Sequence, residues 1–247
     1  MTEESIKRVY EIPVRHTLTP DAGQVVIVCR DLLGDAEESS AALIRAAERS
    51  GNAWITFDFP AHGASTVAEN QLTVPNCLED MTVVYDYVKK TSPEAQISLF
   101  GTGFGAAIAL LWVSAQNKKA VRPVKNVVAY GAAVCMHTLL ENMAGGEEGV
   151  ERWRKSGTLK TDAAHPAVLP FGLLRDFERY DVFQQFRRGK ETYLFFHGTE
   201  DQVAAPDDIK RFTHLYHLTL TEVPGAGHAP DASEAERVAF EAAGFLF

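Results

Sequence analysis

The stretch LFGTGFGAAIAL, Leu99 to Leu110, decides how the rest of the chain is read. An apolar run, QISLF from Gln96 to Phe100, stops at a glycine-rich pentapeptide, and a small-residue helical pattern follows at once. Those features predict a buried strand, a sharp turn and a helix, with residue 103 at the apex. A turn of this kind lifts its apical side chain clear of the backbone, as a nucleophile requires. Here the apex is Gly103, which has no side chain.

The flanking segments repeat the same alternation. QVVIVC (Gln24 to Cys29), AWITFDF (Ala53 to Phe59), NVVAYG (Asn126 to Gly131), TYLFF (Thr192 to Phe196) and Leu218 to Val223 read as short strands, the most apolar of them buried on both faces. Lys7 to Val14 alternates loosely, as an edge strand does. Helical spacing covers Ser39 to Ser50, Cys77 to Lys89, Phe104 to Gln116 and Asp207 to Tyr216. Asn76 with Glu79, and Ser233 with Glu236, are spaced to cap the second and the last helix. Strands separated by helices predict an α/β fold, a mainly parallel sheet flanked by helices. Residues 136 to 190 break the rhythm, with glycines at 145, 146 and 149, prolines at 166 and 170, and an amphipathic, aromatic helix expected over Arg175 to Phe186. They are read as a cap inserted over the carboxyl edge of the sheet, within one domain spanning residues 1 to 247.

Composition narrows the function. With 247 residues, 46 % of them apolar, the chain is long enough to bury a large core. A net charge of −9 argues against a nucleic-acid partner. Three widely spaced cysteines, Cys29, Cys77 and Cys135, read as free thiols of a reducing compartment. No apolar run is long enough to span a bilayer, and the polar start MTEESIKRVYEI does not resemble a signal peptide, so a cytoplasmic location without a membrane partner is expected. His214 and His217 are three apart but lack a third ligand, so neither a metal nor any other cofactor is expected. The oligomeric state is not legible.

In an open parallel sheet the working residues sit at the carboxyl ends of the strands. The loops there read Arg30-Asp31-Leu32-Leu33-Gly34, DFPAHGAS (Asp58 to Ser65), GTGFG, HGTEDQVAAPDD (from His197) and VPGAGH (to His228). The order elbow, Asp201, His228 resembles the nucleophile, acid and histidine order of the α/β-hydrolase fold. DFPAHGAS resembles that family's D-x-x-G-H-G-x-S loop, with Ala61 in place of the first glycine. With the cap position and the run RYDVFQQF, the chain looks most like serine esterases of the cinnamoyl or feruloyl type.

That resemblance implies hydrolysis of a small-molecule ester or other acyl substrate by transfer to water. It makes His228 the base, Asp201 its orienting partner, and the backbone N–H groups of Phe104 and Leu32 the oxyanion hole. Arg30 and Asp31 border this site, and Trp153, Phe171, Phe177 and Tyr180 of the insert either line an acyl pocket or pack the cap. Two departures stand out. Gly103 leaves the catalytic triad incomplete, and Arg30-Asp31 replaces the His-Gly usual in the family, setting a carboxylate near the oxyanion hole. Thr102, Ser98, Ser65 and Cys29 are not expected to replace the nucleophile, and His62 and His197 read as turn-holding residues.

Three functions therefore remain open. One is a serine-esterase scaffold, inactive as it stands, in which Gly103→Ser restores turnover. The second is a non-catalytic pseudo-hydrolase that binds a small ligand or partner. The third is an enzyme that uses the His228–Asp201 dyad without a covalent intermediate. Whether glycine at 103 is natural or introduced is open at this point, as are the acyl and alcohol parts of any substrate.

Overall fold

The computed structural model describes all residues except 33–36, 120–122 and 162–166, and the backbone alone of Glu37. Leu33, Gly34, His165 and Pro166 thus lie outside the described residues. In chain order the strands are β1 (Thr2–Lys7), β2 (Glu11–His16), β3 (Gln24–Cys29), β4 (Ala53–Phe57), β5 (Gln96–Thr102), β6 (Asn126–Tyr130), β7 (Thr158–Lys160), β8 (Val168–Pro170), β9 (Thr192–Gly198) and β10 (Thr219–Val223). The helices are α1 (Glu37–Arg49), α2 (Val74–Thr91), α3 (Gly103–Lys118), α4 (Met136–Ala144), α5 (Gly146–Ser156), α6 (Phe171–Arg179), α7 (Val182–Gln185), α8 (Pro206–Tyr216) and α9 (Ala232–Leu246). Among the described residues no helix is long and apolar enough to cross a membrane.

The main sheet runs β1-β2-β4-β3-β5-β6-β9-β10. Pairing is parallel from β4 to β10 and antiparallel where β2 meets β1 and β4. Period-two alternation sends each strand's side chains to two cores. Val25, Ile27 and Cys29 of β3 face the core shared with α2, α3, α8 and the insert. Val26 and Val28 face the core under α1 and α9. The cysteines are free, Cys29 and Cys77 buried and Cys135 half-buried.

Register positions the site. Cys29, the last residue of β3, pairs with Gly101, so Arg30 and Asp31 emerge beside the turn at Gly103. Thr102 pairs with Tyr130, Tyr130 with Phe196, and Gly198 with Val223. The loops after β3, β5, β9 and β10 therefore leave the sheet along one edge.

Local expectations needed correction where capping overrode them. The edge strand expected over Lys7 to Val14 is an antiparallel hairpin, β1 with β2. Helix α2 starts at Val74, earlier than Asn76 with Glu79 suggested. Its cap is Thr73, whose hydroxyl accepts from the Asn76 N–H, and Pro75 suits the first turn. The capping box of α9 belongs to Asp231 and Glu234 rather than Ser233 and Glu236. The helix expected over Arg175 to Phe186 is two helices: α6 ends at Arg179, and the Asp181 carboxylate caps α7. The insert holds α4, α5, α6 and α7, with the antiparallel pair β7–β8 between α5 and α6.

Candidate active site

Gly103 opens α3 with φ +47°, the left-handed backbone that the apex of such a turn requires. Gly105 lets α3 approach the next loop: a Cβ there would run into the carbonyls of Cys29 and Arg30. The loop after β3 is thus pressed against the start of α3, and the Asp31 side chain fills the space beside Gly103.

Its carboxylate takes up both halves of the acyl-transfer geometry. The N–H groups of Leu32 and Phe104 both donate to Asp31 Oδ1, each at 2.7 Å. Asp31 Oδ2 lies 2.8 Å from His228 Nε2, the hydrogen-bond distance expected between a base and its nucleophile. A Cβ built on Gly103 would fall closer than 3.0 Å to Oδ1, Cγ and Oδ2 of Asp31 at once. Any side chain at 103 and this placement of Asp31 exclude each other. The Asp31 side chain keeps 8 % of its exposure and that of His228 5 %.

The opposite half is built by the loops after β9 and β10. Asp201 Oδ1 accepts from the N–H groups of Val203 and Ala204, both at 2.8 Å, which fixes the carboxylate in its own turn. Asp201 Oδ2 lies 2.8 Å from His228 Nδ1. The histidine loop is tied down by Gly225 N–H on Thr199 Oγ1 and by the Tyr130 hydroxyl on the Gly227 carbonyl. The structure therefore brings Gly103, Asp201, His228, Leu32 and Phe104 together, with Asp31 at the centre.

Charge follows from this arrangement. Burial works against the His228 imidazolium, but its hydrogen bonds to the Asp201 and Asp31 carboxylates, reinforced by their charges, raise its pKa to about 10. Burial likewise opposes the Asp31 carboxylate. The hydrogen bond and charge of His228 and the two backbone N–H groups outweigh it, holding its pKa below the ordinary carboxylate value. The raised pKa favours a protonated His228 at neutral pH, held between Asp31 and Asp201.

The remaining candidates divide between site wall and cap interior. Arg30 pairs with Asp58 beside a groove of about 540 Å³ that also runs along β2 and β4. Phe104 is buried, its ring stacked on His62 at 6.2 Å and met edge-on by Phe59 at 5.6 Å and Phe177 at 6.1 Å. Phe177 thus carries the insert onto the turn. Trp153 is 1 % exposed, donates from Nε1 to the Leu169 carbonyl and packs edge-on against Phe171. Tyr180 is half-buried against the same core. His62 Nδ1 lies 2.8 Å from the Pro60 carbonyl and His197 Nε2 2.9 Å from that of Ala204, both within turns. Burial lowers the pKa of each of these two histidines. Thr102 is buried in the strand, its hydroxyl without a hydrogen-bond partner among the described residues, and Ser98 donates to the Leu246 carbonyl. No group of three or more His, Cys, Asp or Glu among the described residues is arranged to hold a metal ion. The sequence sets Asp31 near the N–H groups of Leu32 and Phe104 but does not show that its carboxylate accepts from both. The signal was there in the pairing of an added side chain at 31 with a lost one at 103.

Comparison with known proteins gives the same frame. The structure is similar to that of Est1E from Butyrivibrio proteoclasticus with ferulic acid bound, with a TM-score of 0.82 and 17 % identity over 98 % of each chain. It is similar to a hydrolase of unestablished activity from Agrobacterium vitis S4, with a TM-score of 0.82 and 19 % identity over 100 % of this chain and 98 % of that one. Mouse alpha/beta hydrolase domain-containing protein 10 matches with a TM-score of 0.78 and 13 % identity over 100 % and 98 %. No curated protein matches by sequence. Identities this low speak for the fold alone. The model of the alpha/beta hydrolase fold family matches residues 24–185, well over half of the chain, and the chain belongs to that family.

Proposed function

We propose that this member of the alpha/beta hydrolase family does not hydrolyse carboxylic esters through an acyl-enzyme, and that its covered site engages a small molecule through the Asp31–His228–Asp201 relay instead. One observation carries this reading: Asp31 holds both oxyanion donors with one oxygen and His228 with the other. Those two N–H groups are then engaged and do not polarise a substrate carbonyl, and loss of a single such donor costs roughly 3 kcal/mol in the transition state. Likeness to Est1E favours esters as the substrates of related scaffolds, whereas the groups that transfer an acyl chain are here absent at Gly103 or engaged by Asp31.

Gly103 and Asp31 belong together in this reading. Serine at 103 would need Asp31 elsewhere, so Gly103→Ser by itself does not restore turnover, contrary to the expectation from sequence. The dyad reading is disfavoured by the charge on His228, since an imidazolium held to about pH 10 is not a resting general base.

The test is an assay of the unaltered chain against short aryl esters, with a fluorophosphonate probe for an activated hydroxyl. Neither turnover nor labelling is expected. Ester turnover that disappears in His228→Ala would overturn the proposal.

A further inference from the structure

We infer that the groove along the β1–β2–β4 edge of the sheet is a binding site for a small organic monocarboxylate, held by Arg15 and Arg30. The site is separate from the one built around His228 and does not depend on the proposed function.

The sheet itself shapes the groove. Arg15 of β2 lies directly opposite Glu3 of β1 on one side and Thr56 of β4 on the other, so the three side chains share one face. Val14, next to Arg15, alternates to the other face and enters the core. The shared face lines a groove of about 540 Å³ that also takes in Arg30, Asp58, Gly63 and Ala64. A second groove, of about 290 Å³, runs between this edge and α1, along Ser40, Ile44 and Trp54. Arg15 and Arg30 line both, so two guanidinium groups stand where the grooves meet. A space of this size suits a small molecule.

The charges select an anion. Most ionised groups along the two grooves are already engaged. Glu4 accepts from the Tyr87 hydroxyl and faces His16. Asp58 accepts from Arg30 and from the Ala64 N–H. Arg45 donates to Glu38 and Glu236, and Glu48 accepts from the Trp54 indole. Arg15 and Glu3 make no ion pair among the described residues. A guanidinium in a concave site binds a carboxylate in a planar, two-point fashion. Arg30 strengthens the attraction. Its fork carries five donors, more than one carboxylate can take, and its side chain is 21 % exposed, so water screens it less than a surface charge.

Two further observations define the ligand. Ser40 is 1 % exposed on the wall of the second groove, and its hydroxyl has no hydrogen-bond partner among the described residues. A buried hydroxyl without a partner is costly, and a ligand oxygen supplies the acceptor it lacks. The one guanidinium without an ion pair is opposed by the Glu3 carboxylate, in a chain of net charge −9. A monoanion is held there, whereas a dianion such as phosphate meets more repulsion than attraction.

The experiment is an amide NMR titration of the whole ¹⁵N-labelled chain with sodium benzoate, at neutral pH and constant ionic strength. Saturable shifts are expected at Arg15, Arg30, Thr56, Gly63 and Ala64, with a Kd of about 1 mM for a ligand of this size. Arg15→Ala should weaken binding about tenfold. Arg15 is exposed, and an otherwise unchanged amide spectrum shows that the variant is folded. Glu3→Gln should tighten binding about two- to fivefold, because it removes the opposing charge. Sodium phosphate and benzylammonium chloride should both bind more weakly than benzoate. Benzoate affinity unchanged in Arg15→Ala overturns the inference, as does tighter binding of phosphate or of benzylammonium. Absence of saturable shifts up to about 20 mM benzoate, far above the expected Kd, overturns it too. Shifts confined to Asp31, His228 and their neighbours overturn the groove assignment and support ligand binding at the covered site instead. Ester turnover by the unaltered chain overturns the proposed function and leaves the groove titration as it stands.

Discussion

On the side of the site built by β9 and β10, Asp201 sits in a turn whose Val203 and Ala204 N–H groups hold one carboxylate oxygen, and the other meets His228 Nδ1. On the side built by β3 and β5, residue 103 has no side chain and the carboxylate of Asp31 occupies the space where a Cβ there would lie. The first side is a histidine–acid pair of the kind hydrolases use. The second turns the N–H groups of Leu32 and Phe104 onto one oxygen of the chain's own Asp31. Loops that hold their shape through main-chain contacts can keep it while the chemistry at their centre changes, because the N–H groups at Leu32 and Phe104 do not depend on the residues that face them.

The largest expected effect comes from undoing the second side. Asp31→Gly combined with Gly103→Ser empties the hole and supplies a hydroxyl beside His228, and aryl-ester turnover should exceed that of either single variant by about 10²–10³-fold. Gly103→Ser alone should stay inactive and lose about 1–3 kcal/mol of stability, since the new side chain and Asp31 compete for one space. A Gly103→Ser variant as active as the double variant breaks the link between the two positions. Next in size is His228→Ala, which strands two buried carboxylates. Breaking a buried ion pair from one side costs about 3–5 kcal/mol, read by urea unfolding. A loss under about 1 kcal/mol there means the relay is not formed.

How far the sequence could be read follows the same division. The apolar strand runs, the glycine pentapeptide and the HGTED and GAGH loops carry the fold, because a doubly buried strand and a tight turn each demand particular residue types over a few consecutive positions. Asp201 and His228 were legible for that reason. Asp31 was legible as a neighbour and not as an occupant. Its placement depends on Gly105 letting α3 close on the β3 loop and on a Cβ missing at 103, contacts between segments some seventy residues apart in sequence. Helix starts were misread at Asn76 and Ser233, since Thr73 and Asp231 offered the first-turn N–H groups a cap two or three residues earlier. The aromatics of the insert were equivocal because an apolar residue that lines a pocket and one that packs a cap have the same sequence signature.

A pH series separates the sides more gently. The folded pKa of His228, about 10, lies above the value near 6.5 of an unfolded histidine, so its stabilising contribution is complete below about pH 6.5. It declines as pH rises from there and is gone above about pH 10. Asp31 has the opposite sign: its folded pKa is depressed, so its contribution is present above the unfolded value near 3.9 and is lost as pH falls through the folded one. Unfolding free energies across pH 5 to 10, compared between the unaltered chain and Asp31→Asn, should differ most at low-to-neutral pH and converge towards pH 10. Parallel curves would mean that His228 owes its charge to Asp201 alone.

The smallest effect is expected outside both sides, in the insert. Trp153→Phe keeps most of the apolar volume around Phe171 and removes one hydrogen bond, from Nε1 to the Leu169 carbonyl. That costs about 1 kcal/mol, a shift of a few degrees in the melting temperature for a chain of this length. Because Trp153 is 1 % exposed and bonded within the insert, its replacement should leave the pH dependence of stability unchanged. Phe177→Ala differs in kind, since that ring touches Phe104 at the turn. Losing a buried phenylalanine costs about 3–5 kcal/mol, and the cavity opens next to one of the two N–H groups that hold Asp31. If both variants perturb the relay equally, the insert works as one rigid lid. If Phe177→Ala alone does, the contact between insert and site runs through that ring.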